Sequence, residues 1–148
     1  MRIIIIGAGK VGYQIAETLA GEKLDIVVID KDERVIQRVE DNLDVLGICS
    51  NGLVARTLRK LEVNEKDLLI AVTDSDEGNI LACMSAKNLG NCTTVARIRN
   101  PEYANDLAVS PHQLSIDLII NPEKSTAEEI SRMLMFSPAG MVEEFAKG

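Results

Sequence analysis

The sequence predicts an α/β protein: a doubly wound parallel sheet of six strands with helices on both faces. Three observations predict it. Six short β-type runs alternate with amphipathic helical runs, the pattern of parallel strands joined by helical crossovers. The first run, Arg2 to Ile6, is continuously apolar from Ile3 onward, as a strand covered on both faces must be. It leads straight into Gly7, Gly9 and Gly12 in G-x-G-x-x-G spacing, the turn that opens the first helix of a Rossmann fold.

Each later element has its own signal. Residues 11–20 have helical spacing, with Ile15 and Leu19 one turn apart, and Gly21 is placed to close the helix. "DIVVI", residues 25–29, is the second strand. Asp32 starts a helix on which Val35, Ile36 and Val39 form one stripe. "DVLGIC", 44–49, is a third, weaker strand, and a short helix follows around residues 53–61. "DLLIAV", 67–72, is the fourth strand. A helix over residues 77–89 is closed by Gly90. "TTVARI", 93–98, is the fifth strand, and Pro101 opens the next helix, because proline suits the first helical position. "IDLII", 116–120, is the sixth strand. The last helix spans residues 125–135, with Ser125 and Glu128 spaced as a capping box. One domain thus covers residues 1–136. Beyond it, "SPAG" breaks the pattern and "MVEEFAKG" alternates like a new strand, so residues 137–148 are expected to be a linker and the start of a truncated second domain.

Composition narrows the function. The chain has 148 residues, enough for one real core, with 46% hydrophobic and 26% charged residues. A net charge of −7 argues against a nucleic-acid partner and against electrostatic docking on anionic lipid. No apolar run reaches the roughly 18–20 residues of a membrane helix, and the chain reads as cytoplasmic, without direct membrane insertion. Cys49, Cys83 and Cys92 form no C-x-x-C pair and are expected to be small buried hydrophobes. With His112 as the single histidine, in the "SPHQ" loop, neither a metal site nor a nucleophile–histidine pair is indicated.

The glycine turn points to a ligand. Gly7 permits the tight turn, Gly9 lets a pyrophosphate approach the backbone, and Gly12 lets helix and strand pack closely. The helix N-terminus adds N–H groups and partial positive charge. Asp30 ends the second strand, where a carboxylate can accept hydrogen bonds from the ribose hydroxyls of an adenosine. It would repel a 2′-phosphate, which favours NAD over NADP, and the adjacent Lys31 softens that preference. Val72, Thr73 and Asp74 occupy the carboxyl edge of the fourth strand and can line the crevice. Asp76, Glu77, Gly78 and Asn79 read as helix capping ahead of ligand contact. Arg97 and Arg99 share a strand face; Arg97 is the better phosphate candidate, with ion pairs to the chain's many acids as the other reading.

Together "GAGKVG", Asp30, "LIAVTDSDEGNILAC" and "ARIRNPEY" resemble the cytosolic regulatory subunits of Trk-type potassium uptake systems. The N-terminal half of such a subunit is a regulator-of-potassium-conductance domain, called RCK or KTN. The resemblance covers residues 1 to about 136, and "GMVEEFAKG" resembles the start of the family's smaller second domain. It implies a Rossmann crevice for NAD(H), or for ATP and ADP. It also implies a homodimer or larger ring beneath a membrane potassium-translocating subunit, with the bound ligand gating ion flow. On this chain the resemblance gives phosphates to Gly7, Ala8, Gly9, Lys10 and Val11, ribose to Asp30, the crevice wall to Thr73 and Asp74, and phosphate to Arg97. "CSNG", residues 49–52, departs from a more acidic family pattern and puts Asn51 and Gly52 near the adenine.

A regulatory nucleotide sensor is therefore the leading function, and no enzyme activity is expected. The runner-up is the cofactor domain of an NAD-dependent dehydrogenase, which would need a substrate module and a proton donor beside the nicotinamide. A methyltransferase using S-adenosylmethionine is third, since that ligand has no phosphate for Arg97. The apolar Ile130, Met133, Leu134 and Met135 of the last helix suggest a subunit contact, with packing on the domain's own sheet as the alternative.

Overall fold

Alternate isoleucines of the first strand build two cores. The computed structural model describes residues 1–109 and 115–135. In β1 (Arg2–Ile6), Ile4 and Ile6 face one side of the sheet, and Ile3 and Ile5 face the other. A strand's side chains alternate between faces, so an unbroken apolar run serves a sheet covered twice. Each buried isoleucine contributes roughly 1.5–3 kcal/mol of transfer free energy, which places β1 at the centre.

The remaining elements follow in chain order: α1 (Lys10–Ala20), β2 (Asp25–Asp30), α2 (Glu33–Asn42), β3 (Leu46–Cys49), α3 (Ala55–Lys60), β4 (Leu68–Ala71), α4 (Asp76–Gly90), β5 (Thr93–Arg97), α5 (Pro101–Val109), β6 (Leu118–Ile120) and α6 (Pro122–Met135). The six strands lie in the order β3-β2-β1-β4-β5-β6, and all pairs are parallel. The strand order reverses beside β1, which makes the gap between β1 and β4 the topological switch point. Ile6 stands opposite Ile29 and Ala71, so the loops after β1, β2 and β4 emerge together.

Several local expectations change. The helix α6 begins at Pro122, not at 125. Asn121 Oδ1 accepts from the Lys124 N–H at 3.1 Å, and proline takes the first helical position. Ser125 therefore lies inside the helix, its N–H donating to Asn121 O at 3.0 Å, and cannot form the expected capping box. At the end of α4 the left-handed residue is Asn91, at φ 50°, not Gly90. Gly90 is needed for a different reason: a Cβ there would stand 2.0 Å from Val63 O. The strands β3 and β6 begin two residues late, because each is an edge strand with one neighbour to extend its ladder.

Cys83 and Cys92 are buried, and burial pushes their thiols up to about 12 and about 11, so they pack as small hydrophobes. Cys49 is exposed, contrary to expectation, because it ends the edge strand β3 at the rim of the sheet. His112 and the expected second-domain start at 137–148 lie outside the described residues. Among the described residues, no helix is long and apolar enough to cross a membrane.

Candidate functional site

The carboxyl ends of β1, β2, β4 and β5 open onto a cleft of about 800 Å³. That size is ordinary for a small-molecule site, roughly 300–1,000 Å³. Gly7 and Gly9 line the cleft, and the three turn glycines have distinct reasons to be glycine. Gly7 has φ +97°, and a Cβ there would crowd Thr73 N at 3.0 Å. Its N–H donates to Ile29 O at 2.9 Å, fixing the turn against β2. A Cβ on Gly12 would stand 1.8 Å from Gly7 O, so only glycine lets α1 pack on the turn. Gly9 differs: a Cβ there would meet nothing within 4 Å. The space in front of it belongs to the cleft, which Gly9 lines together with Lys10 and Val11.

The N-terminus of α1 is also open. Gly9 is its cap residue, no side chain caps it, and no acid lies in its first turn. By contrast, Asp32 Oδ1 caps α2 through the Arg34 N–H at 2.9 Å, and Ser75 Oγ caps α4 through the Gly78 N–H at 3.0 Å. Of the three helix ends whose cap residues line the cleft, that of α1 has no side-chain cap, which leaves its N–H groups for an external acceptor.

Asp30 ties the turn to β2. Its Oδ2 accepts from the Ala8 N–H at 2.8 Å, and its Oδ1 accepts from the Asp32 N–H at 2.9 Å. A carboxylate has about four lone-pair sites, so acceptor capacity remains for ligand hydroxyls. Ala8 is the one sequence candidate that does not line the cleft: its side chain is buried and its N–H is already given to Asp30. Lys31 lines the rim beside Asp30. Across the cleft, Asn51 Oδ1 accepts from the Leu53 N–H at 3.0 Å. Gly52 is floor, since a Cβ there would stand 2.6 Å from Ile6 Cγ2. Both line the cleft.

Val72, Thr73 and Asp74 form the wall after β4. Thr73 is held by the fully buried Asn79, whose Oδ1 accepts from Thr73 N at 3.0 Å and Oγ1 at 2.7 Å. Asn79 Nδ2 donates to Thr73 O at 3.1 Å and to Arg97 O at 2.8 Å. Asp76 accepts from the N–H of Arg99, at 3.0 Å to Oδ1, and of Asn100, at 2.8 Å to Oδ2. These two residues clamp the ends of β4 and β5 together rather than capping α4.

Arg97 points from β5 into the cleft with its side chain 12% exposed. Its Nη2 donates to Glu123 in the first turn of α6, while Nε is buried without a partner. The ion-pair reading of Arg97 is present in the structure, and one further buried donor of the same side chain is unmatched. Glu123 is held below the usual carboxylate range by its own backbone N–H and by Arg97. Arg99 lines the same cleft, its Nη2 donating to Asp74 O at 2.7 Å.

Residues 3–122 match the family model described as the TrkA-N domain. The chain belongs to the TrkA-N domain family. It is 44% identical over 155 aligned residues to Trk system potassium uptake protein trkA homolog 1 of Methanosarcina mazei, covering 100% of this chain and 37% of that protein. It is 38% identical over 148 residues to the Trk system potassium uptake protein TrkA homolog of Archaeoglobus fulgidus, covering 100% of this chain and 34% of that protein. The chain thus spans about a third of the length of these curated relatives. Among solved structures, the NAD(P)-binding domain of an exopolyphosphatase-related protein from Archaeoglobus fulgidus superposes with a TM-score of 0.76 at 14% identity, over 90% of this chain and 96% of that one. The GsuK channel bound to NAD gives 0.69 at 18% identity, over 80% of this chain and 21% of that one. GsuK bound to ADP gives 0.68 at 17% identity, over 81% and 31%. At these identities the structural likeness shows the Rossmann fold alone.

In this TrkA-N domain the cleft can bind and orient. Its turn and Arg97 offer donors to an anion, and Asp30 offers an acceptor to hydroxyls. Sequence reasoning missed Glu123, Asn79 and Asp76 as parts of this edge. For Asn79 and Asp76 a signal existed, their position in the first turn of α4, but capping explained it equally well.

Proposed function

We propose that this TrkA-N domain binds an adenine nucleotide, NAD(H) or ATP/ADP, and that occupancy regulates potassium passage through a membrane transporter subunit. The observation that carries the reading is the unfilled donor set at the cleft: the uncapped turn at Gly9 and the buried, unmatched Nε of Arg97. In this reading Gly7, Gly9, Lys10 and Val11 hold phosphate, with the Ala8 amide bracing Asp30 behind them. Asp30 receives the ribose hydroxyls beside Lys31. The adenine lies over Gly52 and Asn51, and Val72, Thr73 and Asp74 form the opposite wall. The regulatory role is supported by the Trk-system names of the curated relatives, and the ligand class by the NAD and ADP of the GsuK structures.

The role is regulatory rather than enzymatic, at the cytoplasmic face of the membrane and through the transporter subunit. A homodimer or larger ring is part of the proposal. Its support is α6, which buries none of its residues and exposes Ile130 and Met135 by 54% and 69%. A thermal-shift panel with NAD, NADH, ATP, ADP and S-adenosylmethionine tests the ligand. A nucleotide at about 100 times its Kd adds about 2.7 kcal/mol, so NAD, NADH, ATP or ADP should raise Tm by several degrees. Stabilisation by S-adenosylmethionine alone would overturn the reading.

A further inference from the structure

Glu123 sets an acid of the protein's own against the cation that the cleft offers. The strand β6 pairs with β5 so that Ile120 stands opposite Arg97, and Glu123 follows three residues later in the first turn of α6. That register carries the Glu123 carboxylate back over β5 to Arg97 Nη2. The two partners are unequally committed. The Arg97 side chain is 12% exposed and Glu123 is 51% exposed. Arg97 cannot follow solvent, whereas Glu123 can turn outward and rehydrate at little cost.

A phosphate entering the cleft meets this pair. It carries more negative charge than a carboxylate, and its several oxygens can engage Nη2 and the unmatched Nε together. Two anions cannot both be satisfied at one guanidinium face without repulsion. The more exposed and weaker acceptor leaves. The pair also has a mechanical meaning. The other ion pairs described on α6, Lys124–Glu128 and Arg132–Glu129, are internal to the helix. Among the ion pairs of the described residues, Arg97–Glu123 is the one that ties α6 to the sheet.

We infer that Glu123 is a resident competitor for ligand phosphate at Arg97, a specificity-determining residue whose displacement frees the first turn of α6. The inference rests on the nucleotide reading given above. Glu123 then makes the cleft discriminate by phosphate: a ligand without one leaves the pair closed, and a ligand with one opens it. The occupied state differs from the empty one at α6, the helix whose apolar face is exposed.

Calorimetry with ADP and adenosine on the whole chain, as wild type and Glu123→Gln, tests this. The variant keeps the side-chain shape and removes the charge. It should bind ADP about fivefold more tightly, with adenosine unchanged, which also reports an intact cleft. Hydrogen exchange supplies the second readout: ADP should speed exchange of the amides around residues 123–127 in the wild type. In the variant those amides should be fast already and respond little. ADP affinity that is equal or weaker in Glu123→Gln overturns the competition and leaves nucleotide binding standing. A parallel gain for adenosine overturns it too, because Glu123 would not then be acting on phosphate. Absence of ADP binding to the wild type overturns this inference, and the nucleotide reading falls with it only when NAD, NADH and ATP also fail to stabilise the chain.

Discussion

The amino-terminal and carboxyl-terminal edges of one parallel sheet treat their polar groups in opposite ways. At the amino-terminal edge, among the described residues, the buried polar side chains find their partners within the protein. Arg2 Nη2 meets Asp67 Oδ2 at 2.7 Å and also donates to Leu61 O at 2.9 Å. Asp67, 3% exposed, accepts the Asn64 N–H at 2.9 Å as well. Asp117 Oδ2 accepts from the Thr94 N–H at 2.8 Å and from Lys87 Nζ at 2.7 Å. At the carboxyl-terminal edge α1 is uncapped, Gly9 faces space, and Arg97 Nε has no partner. Unmatched buried donors cost stability, roughly 1–3 kcal/mol each. A chain that pairs the buried polar side chains described at one edge and leaves donors open at the other has reserved the second edge for something outside itself.

The largest expected effect tests whether the open edge also serves the fold. Gly12→Ala should destabilise by about 3 kcal/mol, through the clash of its Cβ with Gly7 O. Urea unfolding measures it, and a change under about 0.5 kcal/mol, the scale of an ordinary surface substitution, would mean that α1 packs loosely there. Next in size is Arg2→Ala at the closed edge. Removing one partner of a buried pair typically costs 3–5 kcal/mol. Arg2 is partly exposed and Asp67 keeps the Asn64 N–H, so about 2 kcal/mol is expected, with nucleotide affinity unchanged. An affinity loss here would erase the division between the edges.

Gly9→Ala should do the reverse. Its backbone is extended at φ −68° and ψ −160°, which alanine adopts, and its Cβ meets no protein atom within 4 Å. Stability should move by less than about 0.5 kcal/mol, while ADP binding weakens about tenfold, or 1.4 kcal/mol. The smallest effect is a pH dependence. Burial pushes Asp67 up, but the hydrogen bonds of Arg2 and Asn64 and the Arg2 charge outweigh it, so its carboxyl lies below the ordinary value. A depressed folded-state pKa contributes stability that is complete above the unfolded value, about 3.9. That stability is lost as pH falls through the folded value. Wild type should therefore lose stability below about pH 4 more steeply than Asp67→Asn; parallel acid profiles would remove Asp67 from the explanation.

What could be read in the sequence was what local chemistry determines. The unbroken apolar run of β1 specified a doubly covered strand, and the spacing of Gly7, Gly9 and Gly12 specified the turn. Asp30 was visible because it ends an apolar run. What was hidden depends on chain segments meeting in space. Glu123 lies 26 residues from Arg97, and nothing near either residue announces the pair. Asn79 looked like a cap because first-turn polar residues look alike whether they bond their own helix or a neighbouring strand. At α6 two start signals competed. Asn121 followed by proline prevailed over Ser125 and Glu128, because proline removes an N–H that would otherwise lack a partner.

The most direct test of the two-edge division is a two-dimensional amide NMR titration of the chain with ADP. Amides of Gly7, Gly9, Lys10, Asp30, Thr73 and Arg99 should shift in a saturable way, while those of Asn64, Asp67, Thr94 and Asp117 stay in place. Saturable shifts centred on the second group, or no saturable shift at all, would contradict the assignment of the carboxyl-terminal edge as the nucleotide site.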